Sequence, residues 1–176
     1  MRLWLMTLVL MGTSVAFAAN VHLKPGHRDP TFSDGGLMLS VAGTLAGLGN
    51  GDVVVQMDAL ADVTATCANR GGNQAPGQNP APISVTGVQV IPASEVKNGT
   101  TPFSVVTLPP DTPIPGAPDC PNGNWSEAIT DLAFTAATVT IEQPAGVVVL
   151  TVACALAPPT TDGPVSPLAV VCEVQP

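Results

Sequence analysis

Between residues 53 and 67 the sequence alternates with a period of two. Val53, Val55, Met57, Ala59, Ala61, Val63, Ala65 and Cys67 share one parity, while Gln56, Asp58, Asp62, Thr64 and Thr66 fall on the other. Successive side chains of an extended strand point to opposite faces of a sheet, so this pattern describes a strand with one dry and one wet side. An amphipathic helix would instead repeat its apolar positions every three to four residues. A dry face of this length requires a second layer to cover it, so the chain must build a sheet over a core. Leu60 falls on the wet parity, and the run is longer than the usual strand of about five or six residues, so a bend or bulge is expected near it.

Six further runs carry alternating or β-branched residues: 37–45, 83–90, 103–108, 129–141, 147–155 and 168–174. Within 129–141, Leu132 and Phe134 share a phase that Val139 and Ile141 do not, and a bulge around Ala136 and Ala137 would bring them onto one face. Pairs suited to positive φ fall between the runs: Asp34-Gly35, Asn50-Gly51, Asn98-Gly99, Asn122-Gly123 and Asp162-Gly163. No helical period is sustained from Gly36 onward. About seven short strands with turns between them predict an all-β, two-sheet antiparallel sandwich of immunoglobulin-like type. Two stretches interrupt it, 68–82 with GGNQAPGQNPAP and 109–125 with PPDTPIPGAPDCPNGNW. Their prolines remove ladder donors, so both are expected as long loops outside the sheets.

Met1-Arg2, the apolar stretch from Leu3 to Met11 and the small residues ending in Ala16-Phe17-Ala18 follow the order of a secretory signal peptide. Residues 1–18 are therefore set apart from the fold. Their apolar centre is shorter than the roughly 20 residues of a membrane-spanning helix. What remains divides into a flexible N-terminal arm and first turn over 19–35 and one sandwich domain over 36–176. The expected location is secreted or on the cell-envelope exterior, with no membrane insertion after the leader is removed. The formal net charge is −8, and Lys24, Arg28, Arg70 and Lys97 are the basic residues beyond the leader. Such a balance argues against nucleic-acid partners, whose phosphates demand clustered cations.

Cys67, Cys120, Cys154 and Cys172 all lie beyond the leader, and an even count in an exported chain reads as two disulfides. Four cysteines allow three pairings. Cys67 and Cys120 border or lie within the two long loops, while Cys154 shares a face with Leu150 and Val152, and Cys172 with Val170 and Val174. These positions favour 67–120 and 154–172, with the other pairings left open. No C-x-x-C occurs, so the spacing does not make a zinc site.

At LAGLGNGDVV from Leu45, GGNQAPGQNPAP from Gly71, IPASE from Ile91 and GAPDCPNGNW from Gly116, the chain resembles a group of small secreted bacterial proteins. The resemblance covers most of the exported part, rests mainly on loops and turns, and implies a bacterial exported domain. It carries over no activity and no functional residue. In that setting the sequons Asn98-Gly-Thr100 and Asn124-Trp-Ser126 are turn sequence rather than glycosylation sites.

The inventory for catalysis is poor. His22 and His27 are the only histidines, both in the N-terminal arm, and neither G-x-S-x-G nor H-E-x-x-H occurs. Asp58 and Asp62 share a strand face but read as solvated acids, so no enzyme and no cofactor are expected. A leader cut one residue later would leave Asn20-Val21-His22 at the terminus, a tetragonal nitrogen set for copper or nickel. Asp29, Asp34, Asn50, Asp52, Asp119 and Asp131 are loop oxygens that a calcium ion accepts, although no dense D-x-D-x-D run exists. His22 and Asp52 therefore stand as the metal candidates. For binding, Trp125 is the loop aromatic, flanked by Asp119, Asn122 and Asn124, in a chain with no tyrosine. The sequence thus points to a non-catalytic interaction or structural domain whose partner is an unknown extracellular protein or glycan. The alternative is a carbohydrate- or calcium-binding module using the loop face near Trp125.

Overall fold

A computed structural model describes residues 20–24, 30–77, 80–115 and 120–175, without the side chains of 114 and 115. The expected leader, together with His27, Arg28, Asp29 and Asp119, lies outside the described residues. Twelve strand segments follow in chain order: β1 (His22–Leu23), β2 (Thr31–Asp34), β3 (Leu39–Ala46), β4 (Val53–Asn69), β5 (Gln74–Pro76), β6 (Ile83–Ile91), β7 (Thr100–Val106), β8 (Ile114–Pro115), β9 (Trp125–Glu142), β10 (Val148–Leu156), β11 (Gly163–Pro164) and β12 (Val170–Gln175). Two short 3-10 turns, Ala93–Glu95 and Pro167–Ala169, complete the described structure, which contains no α-helix among its described residues.

The strands form two antiparallel sheets. In the first, β3 pairs with β7 on one side and with β1 and β2 end to end on the other, and β11 pairs antiparallel with the outer edge of β2. In the second the order is β12-β10-β9-β4, with β6 and β5 sharing the far edge of β4 and β8 beside the start of β9. The inward residues of both sheets meet in one core. Leu39, Val41 and Leu45 of β3 and Phe103 and Val105 of β7 belong to the same cluster as Val53, Val55 and Met57 of β4, Leu132, Phe134, Val139 and Ile141 of β9, and Leu150 and Val152 of β10.

The alternation in β4 survives intact, with Leu60 on the outer face at 42% exposure. The register does shift at Leu60, but the extra residue is on the partner strand. Leu60 pairs with Ala136 and Ala61 with Phe134, leaving Thr135 unmatched, and a second shift leaves Thr130 unmatched between Asp131 and Ile129. The reason is parity. β4 keeps its apolar residues in phase from Val53 to Cys67, whereas the buried residues of β9 change phase after Ile129 and again after Phe134. Each change needs one inserted residue to keep the apolar side chain facing the core.

Each of the seven expected strands has its counterpart, but seven is too few: β1, β2, β5, β8 and β11 are additional. The arm expected over 19–35 supplies β1 and β2, and the loops expected outside the sheets supply β5 and β8. Pairings of two to four residues leave no readable period, and Pro76, Pro115 and Pro164 lie on short outer segments where a missing N–H costs no ladder bond.

The sheets are joined directly at β6 and β7. Leu108 N donates to Thr86 O at 2.8 Å, and Ser104 N donates to Gln89 Oε1 at 2.9 Å. Gly87 is essential to this approach, since a Cβ there would lie 2.2 Å from Val106 O. At one end of the core the buried Gln143 side chain accepts from Gly49 N at 2.7 Å and donates to Gly49 O at 3.1 Å and Gly51 O at 2.7 Å. This holds the turn between β3 and β4 against the end of β9 and satisfies part-buried backbone groups there.

Candidate functional site

β4 and β9 stay paired from Val54 and Glu142 to Asn69 and Trp125, which carries their far ends past the main core. A second, small cluster covers that extension: Cys67 and Cys120 are buried, with Ala75 and Trp125 packed against them. The Cys67–Cys120 bond, at a Cα–Cα distance of 5.6 Å, ties Cys120 to the ribbon, and β5 and β8 flank the ribbon on either edge. The Cys154–Cys172 bond joins directly opposed residues of β10 and β12 at the other edge of the same sheet. These are the pairings the face positions favoured, and two disulfides fit an oxidising compartment.

The tip carries an open cleft of about 650 Å³ whose walls include Asn69, Arg70, Gly71, Gly123, Asn124 and Trp125. It forms because register places Asn69 opposite Trp125, so the turn leaving β4 and the turn entering β9 stand side by side. Both turns are fixed by asparagine side chains. Asn69 Oδ1 accepts from Gly71 N and Asn73 N, each at 3.0 Å, and Asn122 Oδ1 accepts from Asn124 N at 3.0 Å. Gly72 takes φ +77°, which a turn this tight requires. Glu127 is buried on β9 opposite Cys67 and is not among the described residues lining the cleft.

Of the expected binding residues, the structure brings Trp125 and Asn124 to this cleft and leaves Asn122 exposed in the adjoining turn. Trp125 is neither a sealed core cap nor free: it is half-buried on the disulfide with its remaining surface at the cleft. Asn69 and Arg70 were not singled out for binding by the sequence. The signal that finds them is the β4–β9 register, which pattern alone does not supply.

The metal candidates do not come together. His22 pairs with Ala46 across the sheet, with its Nδ1 2.8 Å from Asn20 O. Asp52 Oδ1 accepts from Ala93 N at 2.8 Å and so holds the turn after β6. Asp34 and Asp131 do converge, with Asp162: a Cβ at Gly36 would meet Asp162 Oδ1 at 3.5 Å and Asp131 Oδ1 at 3.7 Å. Asp34 itself is buried between the sheets, accepting from Gly36 N at 2.8 Å and from the Thr160 hydroxyl, while Phe134 N donates to Thr160 Oγ1 at 2.8 Å. Burial pushes its carboxyl above the usual aspartate value; the Thr160 and Gly36 bonds oppose this, and the charges of Asp162 and Asp131 add to it. Among the described residues no group of three or more His, Cys, Asp or Glu is arranged to hold a metal ion.

A second exposed feature is apolar. Val88 and Val90 of β6 and Val106 and Leu108 at the end of β7 are 59%, 61%, 49% and 71% exposed on adjoining strands. No described helix is long and apolar enough to cross a membrane. The chain matches no protein-family model, and comparison with curated proteins and with solved structures finds no match.

Proposed function

We propose that the chain is exported after loss of residues 1–18 and acts as a non-catalytic interaction domain on the outside of a bacterial cell. In this reading it is an immunoglobulin-like sandwich in the loose architectural sense, and the tip cleft is its recognition surface. The observation that carries the reading is the separate packing of that tip. A ribbon extended beyond the core, stapled by its own disulfide and presenting a half-buried tryptophan, is costly to build unless the surface is used. A rigid aromatic at the floor of a cleft loses little entropy when a partner covers it. The converging acids do not favour catalysis, because Asp34 is 4% exposed and committed to Gly36 and Thr160 between the sheets.

The test is acrylamide quenching of tryptophan emission, with the Trp125→Phe variant subtracted to remove Trp4. Envelope glycans and calcium are added in turn. Partial quenching in buffer that a glycan suppresses supports the tip as the recognition surface. Quenching that no additive changes contradicts it.

A further inference from the structure

We infer that the tip cleft takes an acidic saccharide, its carboxylate held by the donors around Arg70 and a sugar face laid on Trp125. This rests on the reading of the tip as the recognition surface and names the ligand class. The chain carries a formal charge of −8, yet no acidic residue appears among the described residues lining this cleft, and Arg70 does. Elsewhere Lys97 shares its cleft with Glu95, and the proline-rich cleft beside Leu168 holds no charged side chain. Among these clefts, the tip is where a cation lines the wall with no acidic residue among the described lining residues.

The polar groups around Arg70 have the matching sense. Asn69 Oδ1 already accepts from both Gly71 N and Asn73 N, so what its amide has left to offer the cleft is its NH2 donors. A guanidinium beside amide donors selects an acceptor-rich anion, and its planar fork matches a carboxylate. Trp125 adds an apolar face of the kind on which sugar rings lie, and a cleft of about 650 Å³ admits a short oligosaccharide. One cation in a chain of this charge cannot neutralise a run of phosphates, which argues against nucleic acid.

The experiment is calorimetric titration of the full chain with trigalacturonate, maltotriose and hexaglutamate, repeated with Arg70→Gln and Gly123→Leu. Gly123 lines the cleft, a Cβ there meets nothing within 4 Å and its φ is not in the left-handed region, so leucine adds bulk at the cleft wall at no backbone cost. Its melting temperature, measured alongside, should match the parent. Trigalacturonate should bind best, lose about tenfold or more with Arg70→Gln, and lose all detectable binding with Gly123→Leu. Equal affinity for maltotriose and trigalacturonate, unchanged by Arg70→Gln but abolished by Gly123→Leu, would overturn the acidic class and leave the tip standing. Tighter binding of hexaglutamate would overturn the saccharide. Saccharide binding that a folded Gly123→Leu variant retains would overturn both the inference and the tip reading, and no binding of any probe would overturn the inference.

Discussion

Removing the Cys67–Cys120 bond by the double substitution Cys67→Ala, Cys120→Ala should destabilise the protein more than removing Cys154–Cys172. The two bonds close loops with sequence separations of 53 and 18 residues. Loop closure in the unfolded chain then assigns them about 4 and about 3 kcal/mol respectively, in the chain-entropy account. Either is a large share of the roughly 5–15 kcal/mol that a domain possesses. The structure adds a difference in where the loss is felt. Cys154 is part of the main core, whereas Cys67 and Cys120 form a separate cluster with Ala75 and Trp125. Without the tip bond that cluster has few remaining contacts, so the tip should open before the sheets do. Urea titration followed by both Trp125 emission and far-ultraviolet circular dichroism reads both effects. The parent should give coincident transitions, and the 67–120 variant should give an emission transition at lower urea than the dichroism one. Coincident transitions in that variant would show that the tip does not open separately, and a larger loss from removing 154–172 would show that loop length does not set the order.

Three further substitutions probe the frame that holds the tip. Gly87→Ala places a Cβ 2.2 Å from Val106 O and 2.9 Å from Thr107 Cα, both backbone, so β7 must shift; a loss of about 1–3 kcal/mol is expected in urea titration, and an unchanged midpoint would contradict the close contact of the sheets there. Gln143→Leu leaves Gly49 N, Gly49 O and Gly51 O without their side-chain partner, for about 1–3 kcal/mol by the same assay; a neutral outcome would mean water reaches those groups. Asp34 provides a pH test: its folded value lies above the ordinary 3.8, so between the two the folded state holds the extra proton and stability falls as pH rises through that window. Relative to Asp34→Asn, the parent should therefore lose stability on going from below 3.8 to above the raised value, and a relative gain would reverse the assignment.

What the sequence disclosed followed from periodicity, and what it concealed lacked a period. Val53 to Cys67 defined both the inner face of β4 and the need for a covering layer, and the phase change between Phe134 and Val139 announced a bulge, expected around Ala136 and Ala137 and found just before them at Thr135. Cys154 and Cys172 could be placed because each sat in phase with its own strand, and they lie directly opposed. The short segments β1, β2, β5, β8 and β11 were hidden because two to four residues cannot alternate convincingly, and prolines in three of them mimic loop sequence. At the tip, composition singled out Trp125 through the scarcity of aromatics. Arg70 and Asn69 became partners of that residue only through the long-range register of β4 on β9. Asp34 read as a turn acid because Gly35 follows it, while its burial depends on Thr160 arriving from the far end of the chain.

The most direct test of the tip as the recognition surface is a 1H–15N correlation spectrum of the labelled protein titrated with trigalacturonate. Amide shifts confined to 68–71 and 122–126 are expected, with the Trp125 indole signal moving alongside them. Shifts that spare those residues and gather instead on Val88, Val90, Val106 and Leu108 would contradict it and move recognition to the exposed apolar strands of β6 and β7.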